Sequence, residues 1–168
     1  MTTYIKALAA CLLSIAMIGC TMQEQPTQSG LLRSNFQIEH MGMQTDLYTL
    51  TNDNGMEVCF TNFGGRIVSI LVPDRHGNML DVCLGHDSIA DYIRYGYQGC
   101  NFGALIGRYG NRIKEGRFTL DGVEYQLPRN NDGNCLHGGG EVAFHNRVWE
   151  AMPISDSSIA FCTVSEDG

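Results

Sequence analysis

Positive charge is scarce in this chain. Only 11 lysines and arginines stand against 18 aspartates and glutamates, a formal net charge of −7. No basic patch and no run of like charges breaks the acidic balance, so nucleic acid is not an expected partner. The 7 cysteines are widely and irregularly spaced, without a single Cys-x-x-Cys, and that spacing argues against a zinc site. The one long apolar run, 7–18, falls short of the roughly 20 residues that a bilayer span needs. There is no internal repeat, and no low-complexity segment outside residues 21–35. Helix signals are nearly absent, with one short candidate at Ser88–Tyr92.

What is present begins with a leader. Residues 1–20 read as a secretory signal: a start carrying Lys6, the apolar run, then Gly19-Cys20 before the polar Thr21-Met22-Gln23-Glu24. Met17-Ile18-Gly19-Cys20 resembles a bacterial lipobox, in which Cys20 becomes the lipidated first residue of the mature protein. The expected location is therefore extracytoplasmic, in a bacterial cell envelope, either held to the membrane by an N-terminal lipid anchor or periplasmic. A buried N-terminal helix is the competing reading, and neither a polar face nor a cap supports it. Residues 21–35, rich in Gln, Thr and Ser, read as a flexible tether, and 36–168 as a single domain. Cys59, Cys83, Cys100, Cys135 and Cys162 remain in the domain. Secretion permits disulfides, yet their number is odd. Cys59, Cys83 and Cys162 sit in apolar strand-like runs and read as buried free thiols behaving as small hydrophobes.

The domain is punctuated by turn signals at Asn54-Gly55, Pro73 to Asn78, Glu115-Gly116, Asp121-Gly122 and Asp132-Gly133. Short β-type runs lie between them: 56–60, 66–72, 80–84, 117–120, 123–127, 147–152 and 158–164. Asp121-Gly122 between two such runs is a two-residue hairpin signal. Many short strands with almost no helix imply an all-β fold, an antiparallel β-sandwich. The sequence stops at Ser165-Glu166-Asp167-Gly168 straight after a strand, on a turn dipeptide, so it looks cut short.

Two glycine-rich runs carry the candidate chemistry. Gly107-Arg108-Tyr109-Gly110-Asn111-Arg112-Ile113 and Leu136-His137-Gly138-Gly139 place Asn, Arg and His where the backbone turns tightly and a ligand can come close. Such neutral and charged hydrogen-bonding groups suit an uncharged, hydroxyl-rich ligand. By itself, Arg112 also reads as a solvated strand-edge cation, and His137 as a loop histidine bonded to the backbone. Arg108 reads as structural, bracing the Gly107 turn. Tyr92, Tyr95, Tyr97 and Phe102 are either core or sugar-stacking, and core is the commoner role for aromatics between strands. Gly107-x-x-Gly110 has a phosphate-loop look, but no helix follows to bind the anion.

Taken in order, Asn62-Phe63-Gly64-Gly65-Arg66-Ile67, Phe102 to Arg108, Asn111-Arg112-Ile113, Phe118 to Tyr125, Asn134-Cys135-Leu136-His137-Gly138-Gly139, Phe144 and Val148-Trp149 resemble the N-terminal half of the aldose 1-epimerase (galactose mutarotase) family, from about residue 36 to the end. The resemblance implies a large antiparallel β-sandwich, the mutarotase-like supersandwich, of which this would be the first part. It implies acid/base interconversion of the α and β anomers of a free aldose such as glucose or galactose, with no metal and no other cofactor. Residue by residue, it assigns Asn111, Arg112 and His137 to substrate binding. The family's proton-donor His and base Glu are expected beyond Gly168, and His145, Glu141 and Glu150 do not fall in their motifs. The catalytic residues of this sequence are therefore unknown. A non-catalytic, carbohydrate-binding surface lipoprotein is the alternative reading.

Overall fold

The computed structural model describes residues 24–96 and 99–166. The leader, Cys20 and Tyr97 lie outside the described residues. After a 3₁₀ turn at Arg33–Phe36, the strands β1 (Glu39–His40) and β2 (Met43–Gln44) form a small antiparallel pair. The central element follows: β3 (Leu47–Thr51), β4 (Glu57–Thr61), β5 (Arg66–Pro73) and β6 (Met79–Asp81), antiparallel and side by side in that order. In β4 every second residue, Glu57, Cys59 and Thr61, is buried, the period-two pattern of a strand covered on one face. A bulge opposite Cys59 and Phe60 spoils that alternation in β5, so that Val68 and Ser69 are both buried.

The core on this face gathers Phe36, Leu47, Cys59, Phe63, Val68, Ile89, Tyr92 and Val148. Ile89 and Tyr92 come from α1 (Ile89–Gly96), the one α-helix among the described residues. The helix is longer than the Ser88–Tyr92 candidate. Ser88 stands just before it, and its Oγ accepts the Asp91 N–H at 3.1 Å, satisfying one of the donors that a helix start leaves open. Ser88→Ala is expected to destabilise the fold by about 1 kcal/mol, read as a lower denaturation midpoint at unchanged slope.

The remaining strands are β7 (Arg112–Ile113), β8 (Arg117–Leu120), β9 (Val123–Gln126), β10 (Cys135–Leu136), β11 (Glu150–Ser155) and β12 (Ser158–Cys162). They pair as β7–β10, β8–β9 and β11–β12, all antiparallel. The fold is thus the mostly β, antiparallel one that the turn spacing implies. Asp121 and Gly122 join β8 to β9 with φ of 49° and 79°, the two positive angles that a tight primed turn demands.

Three boundaries differ from expectation, each for a local reason. The run at 80–84 pairs only to Asp81, whose carboxylate accepts the N–H groups of Ile70 (3.1 Å) and Cys83 (2.9 Å) and so takes over from the ladder. Residues 147–149 do not begin the last hairpin. Arg147 O accepts from Gly64 N (2.7 Å) and Trp149 N donates to Asn62 O (2.9 Å), which stitches them to the β4–β5 connection instead. The last strand closes at Cys162, short of Val164. All five domain cysteines are free thiols. Cys59 and Cys135 are buried, but Cys83 is half-buried and Cys162 exposed, because both stand where pairing ends.

The described part of the segment read as a tether, residues 24–35, is docked on this sheet. Glu57 is 3% exposed, and a buried carboxylate needs donors. They are the backbone N–H groups of Gln28 (3.3 Å) and Ser29 (3.2 Å). Leu31 is buried beside them, and Phe36 follows it into the core.

Candidate functional site

The segment that leads to the candidate site runs along β5 and the turn before it. Ile67 N donates to Gly103 O (3.0 Å) and Leu105 N to Gly64 O (3.0 Å). A side chain at Gly103 would lie 1.9 Å from the Ile67 carbonyl, so only glycine allows the approach. Further on, the two glycine-rich runs touch. A Cβ on Gly138 would sit 2.1 Å from Gly107 O, and one on Gly107 2.5 Å from the Phe144 ring. The spacing of glycines in both runs thus answers a contact between them.

That contact brings the three sequence-predicted residues together. Asn111 and His137, both with left-handed backbones (φ of 63° and 54°), face each other at the end of the β7–β10 ladder. Asn111 N donates to His137 Nδ1 at 2.9 Å, and His137 N to Asn111 O at 3.0 Å. Arg112 Nε donates to Asn131 Oδ1 (2.8 Å) and its NH1 to Asn111 Oδ1 (3.2 Å). Asn111 and Arg112 are exposed and His137 half-exposed. Because His137 Nδ1 accepts, the neutral ring carries its proton on Nε2. The cluster therefore presents a ring N–H, a guanidinium nitrogen not engaged by a described residue, and the Asn111 amide. All are donors with fixed direction, suited to hydroxyl oxygens.

The bland readings are partly present in the same geometry. His137 does bond to the backbone, through one nitrogen, and Arg112 is solvated, yet the bonds made by each orient the remaining donors. Arg108 braces a different place than expected. Its fork reaches Ser165 Oγ (3.1 and 2.6 Å) and the Glu166 carbonyl, near the end of the described chain. Tyr92 is fully buried and Phe102 packs against the core, so neither is a sugar platform. Tyr95 stacks on His86 with centroids 5.0 Å apart. No three His, Cys, Asp or Glu side chains are grouped for a metal among the described residues. A cavity of about 240 Å³ between α1 and the β1–β2 turn, lined by His40, Phe63, Tyr92 and Glu141, includes none of the three candidates.

Sequence reasoning passed over the residues that hold the cluster. Asn131 anchors Arg112, and Asn130 pairs through its side chain with both Leu136 N (2.7 Å) and Leu136 O (3.0 Å). The polar run Asn130-Asn131-Asp132-Gly133-Asn134 was the available signal, since asparagine side chains readily replace backbone partners.

His145 was also passed over as a structural group. It is 7% exposed, and Nδ1 has no partner. Burial, reinforced by the positive charge of Arg66 and by His137, lowers its pKa to about 4. In the unfolded chain an ordinary histidine titrates near 6.5. The unfolded state therefore binds the extra proton first, and stability falls as pH drops from about 6.5 towards 4. The loss expected over that window is about 3 kcal/mol. Urea titrations at a series of pH values should show it, and His145→Gln should flatten the profile.

Comparison with known proteins concerns the chain's sequence and fold. The family model described as Aldose 1-epimerase matches residues 46–168. The galactose mutarotase of Rattus norvegicus is 37% identical over 127 residues, 76% of this chain and 35% of the relative. The aldose 1-epimerase of Escherichia coli (strain K12) is 35% identical over 127 residues, 76% of this chain and 36% of the relative. Among solved structures, a GalM/aldose epimerase homologue from C. elegans superposes with a TM-score of 0.64 at 28% identity, over 70% of this chain and 35% of its own. The chain thus spans about a third of the length of these relatives.

Proposed function

From the premise that this chain belongs to the aldose 1-epimerase family, we propose that the protein is an aldose 1-epimerase, acting on free aldoses such as glucose and galactose. The observation that supports it is the cluster of Asn111, Arg112 and His137, bonded together at the end of one short ladder with donors left over. In the proposed reaction a base takes the proton of the anomeric hydroxyl and an acid protonates the ring oxygen. The ring opens, C1–C2 rotates, and the ring closes on the other face. Arg112 and Asn111 would hold sugar hydroxyls, and His137 Nε2–H would donate to an oxygen near the reacting centre. We assign the acid and base themselves to sequence beyond Gly168. Within the described residues, His145 is buried and the exposed Glu141 lines a cavity that includes none of the three. Residues 36–168 are proposed as the first part of a mutarotase-like β-sandwich.

Polarimetry on freshly dissolved α-D-glucose and α-D-galactose, with protein from the whole gene, tests the reading. Acceleration of the optical change above background is expected, and it should be lost on His137→Ala. Sugar binding without acceleration would move the assignment to a non-catalytic carbohydrate-binding protein.

We further propose an extracytoplasmic location with Cys20 as the lipidated N-terminus. The apolar run followed by Gly19-Cys20 supports it. One acyl chain anchors only marginally, so more than one is expected on the mature protein. Mass spectrometry of membrane-extracted protein reads this directly, and a mature N-terminus at any other residue ends the proposal.

A further inference from the structure

Arg66 is fully buried and has no carboxylate partner among the described residues. Its NH1 donates to the carbonyls of Phe63 (3.0 Å) and His145 (2.6 Å), and its NH2 to Asn101 Oδ1 (3.3 Å). Nε has no partner among the described residues, and the guanidinium lies 4.7 Å from the Phe63 ring centroid and 5.1 Å from that of Tyr92. Burying a cation against neutral groups alone is expensive, and an apolar side chain of similar volume commonly fills such a site at less cost. The fold also reserves space for it. A Cβ on Gly64 would stand 2.0 Å from Arg66 NH1 and 2.5 Å from His145 O.

What Arg66 holds is the turn behind the candidate site. His145 lies in the Phe144–Asn146 turn. Phe144 N donates to Gly107 O at 3.2 Å, and its ring fills the place where a Gly107 side chain would be. The same Gly107 carbonyl is the surface on which Gly138 closes, and Gly138 is the neighbour of His137. Gly64, two residues before Arg66, receives Leu105 N and donates to Arg147 O. Both segments that carry the site, 102–112 and 137–147, are thereby fastened to the start of β5.

We propose that Arg66 is a positioning residue for His137: it clamps the Phe144–Asn146 turn so that Gly107 and Gly138 meet and the His137 ring keeps Nδ1 on the Asn111 N–H. The proposal rests on the sugar-site reading for its purpose, but its geometry is testable without sugar.

The test uses the full chain with Arg66→Met, Arg66→Lys and Phe144→Ala. Ring-nitrogen NMR of His137 reports which nitrogen accepts, and galactose affinity is measured alongside. In Arg66→Met the Nδ1-accepting signature is expected to give way to mixed tautomers, with affinity down about tenfold or more. Arg66→Lys is expected to fall between methionine and wild type, because it keeps the charge although its ammonium ends about one bond short of NH1. Phe144→Ala leaves Arg66 in place and breaks the next link, so it shows the same His137 change. An unaltered His137 spectrum in folded Arg66→Met overturns the proposal, as does Arg66→Lys behaving no better than methionine. If Arg66→Met does not fold, Phe144→Ala decides: an unaltered spectrum there is equally fatal. Wild-type protein with the Nδ1 signature but no galactose binding would remove the sugar-site reading and leave the clamp to be judged on the spectra alone.

Discussion

On the proposed function, Arg112→Ala is expected to lower affinity for galactose by about ten- to a hundredfold. A hydrogen bond from a charged donor to a ligand is worth about 1.5–3 kcal/mol, which is that range of dissociation constant. The structure strengthens the case for the full effect. Two of the guanidinium nitrogens are occupied by Asn131 and Asn111, so the third is aimed before any ligand arrives and little rotamer freedom is left to lose on binding. Arg112→Lys should recover only part of the loss, because an ammonium cannot bond both asparagines and a sugar in one plane. His137→Ala has the opposite balance. On the proposed reaction it would remove a donor beside the reacting ring, and turnover should suffer more than binding. Titration calorimetry and polarimetry on the same preparations separate the two. Equal affinity of Arg112→Ala and wild type would take Arg112 out of the site.

Phe36→Ala destabilises the protein by about 3–5 kcal/mol, the usual cost of removing a fully buried phenyl group from a core. Phe36 is 0% exposed and belongs to the central cluster with Leu31, Tyr92 and Val148. Its carbonyl also accepts the buried Thr45 hydroxyl at 2.6 Å. Part of a domain's stability on this scale is most of it, so the variant should unfold at a much lower urea concentration. Equal midpoints for the variant and the wild type would take Phe36 out of the core.

The tether is instructive about what patterning conveys. Residues 21–35 have the composition of a linker, and composition is all that a local reading sees. The reason the described residues 24–35 dock is Glu57, a charge placed on the inward face of β4, whose need for donors is met by Gln28 and Ser29 from about thirty residues away. The same limit explains Arg66. In sequence it is one arginine ahead of a strand. Its burial becomes visible only when the 144–146 turn supplies a carbonyl and Phe63 and Tyr92 supply ring faces.

The sequence by itself determined the antiparallel, strand-rich class and the Asp121-Gly122 hairpin, and it singled out Asn111, Arg112 and His137 as candidates through two glycine-rich runs whose order resembles that of a known family. Those follow from period-two alternation, turn chemistry and the order of motifs, which are properties of neighbouring residues and are written along the chain. The tertiary structure alone decided that Asn111 and His137 bond to each other, that Asn131 holds Arg112 and Asn130 holds Leu136, that α1 extends to Gly96, and that Leu31 and Phe36 complete the core. Most of these are pairings between segments far apart in sequence, where the partner that satisfies a buried or strained group is chosen by three-dimensional packing and leaves no local signature.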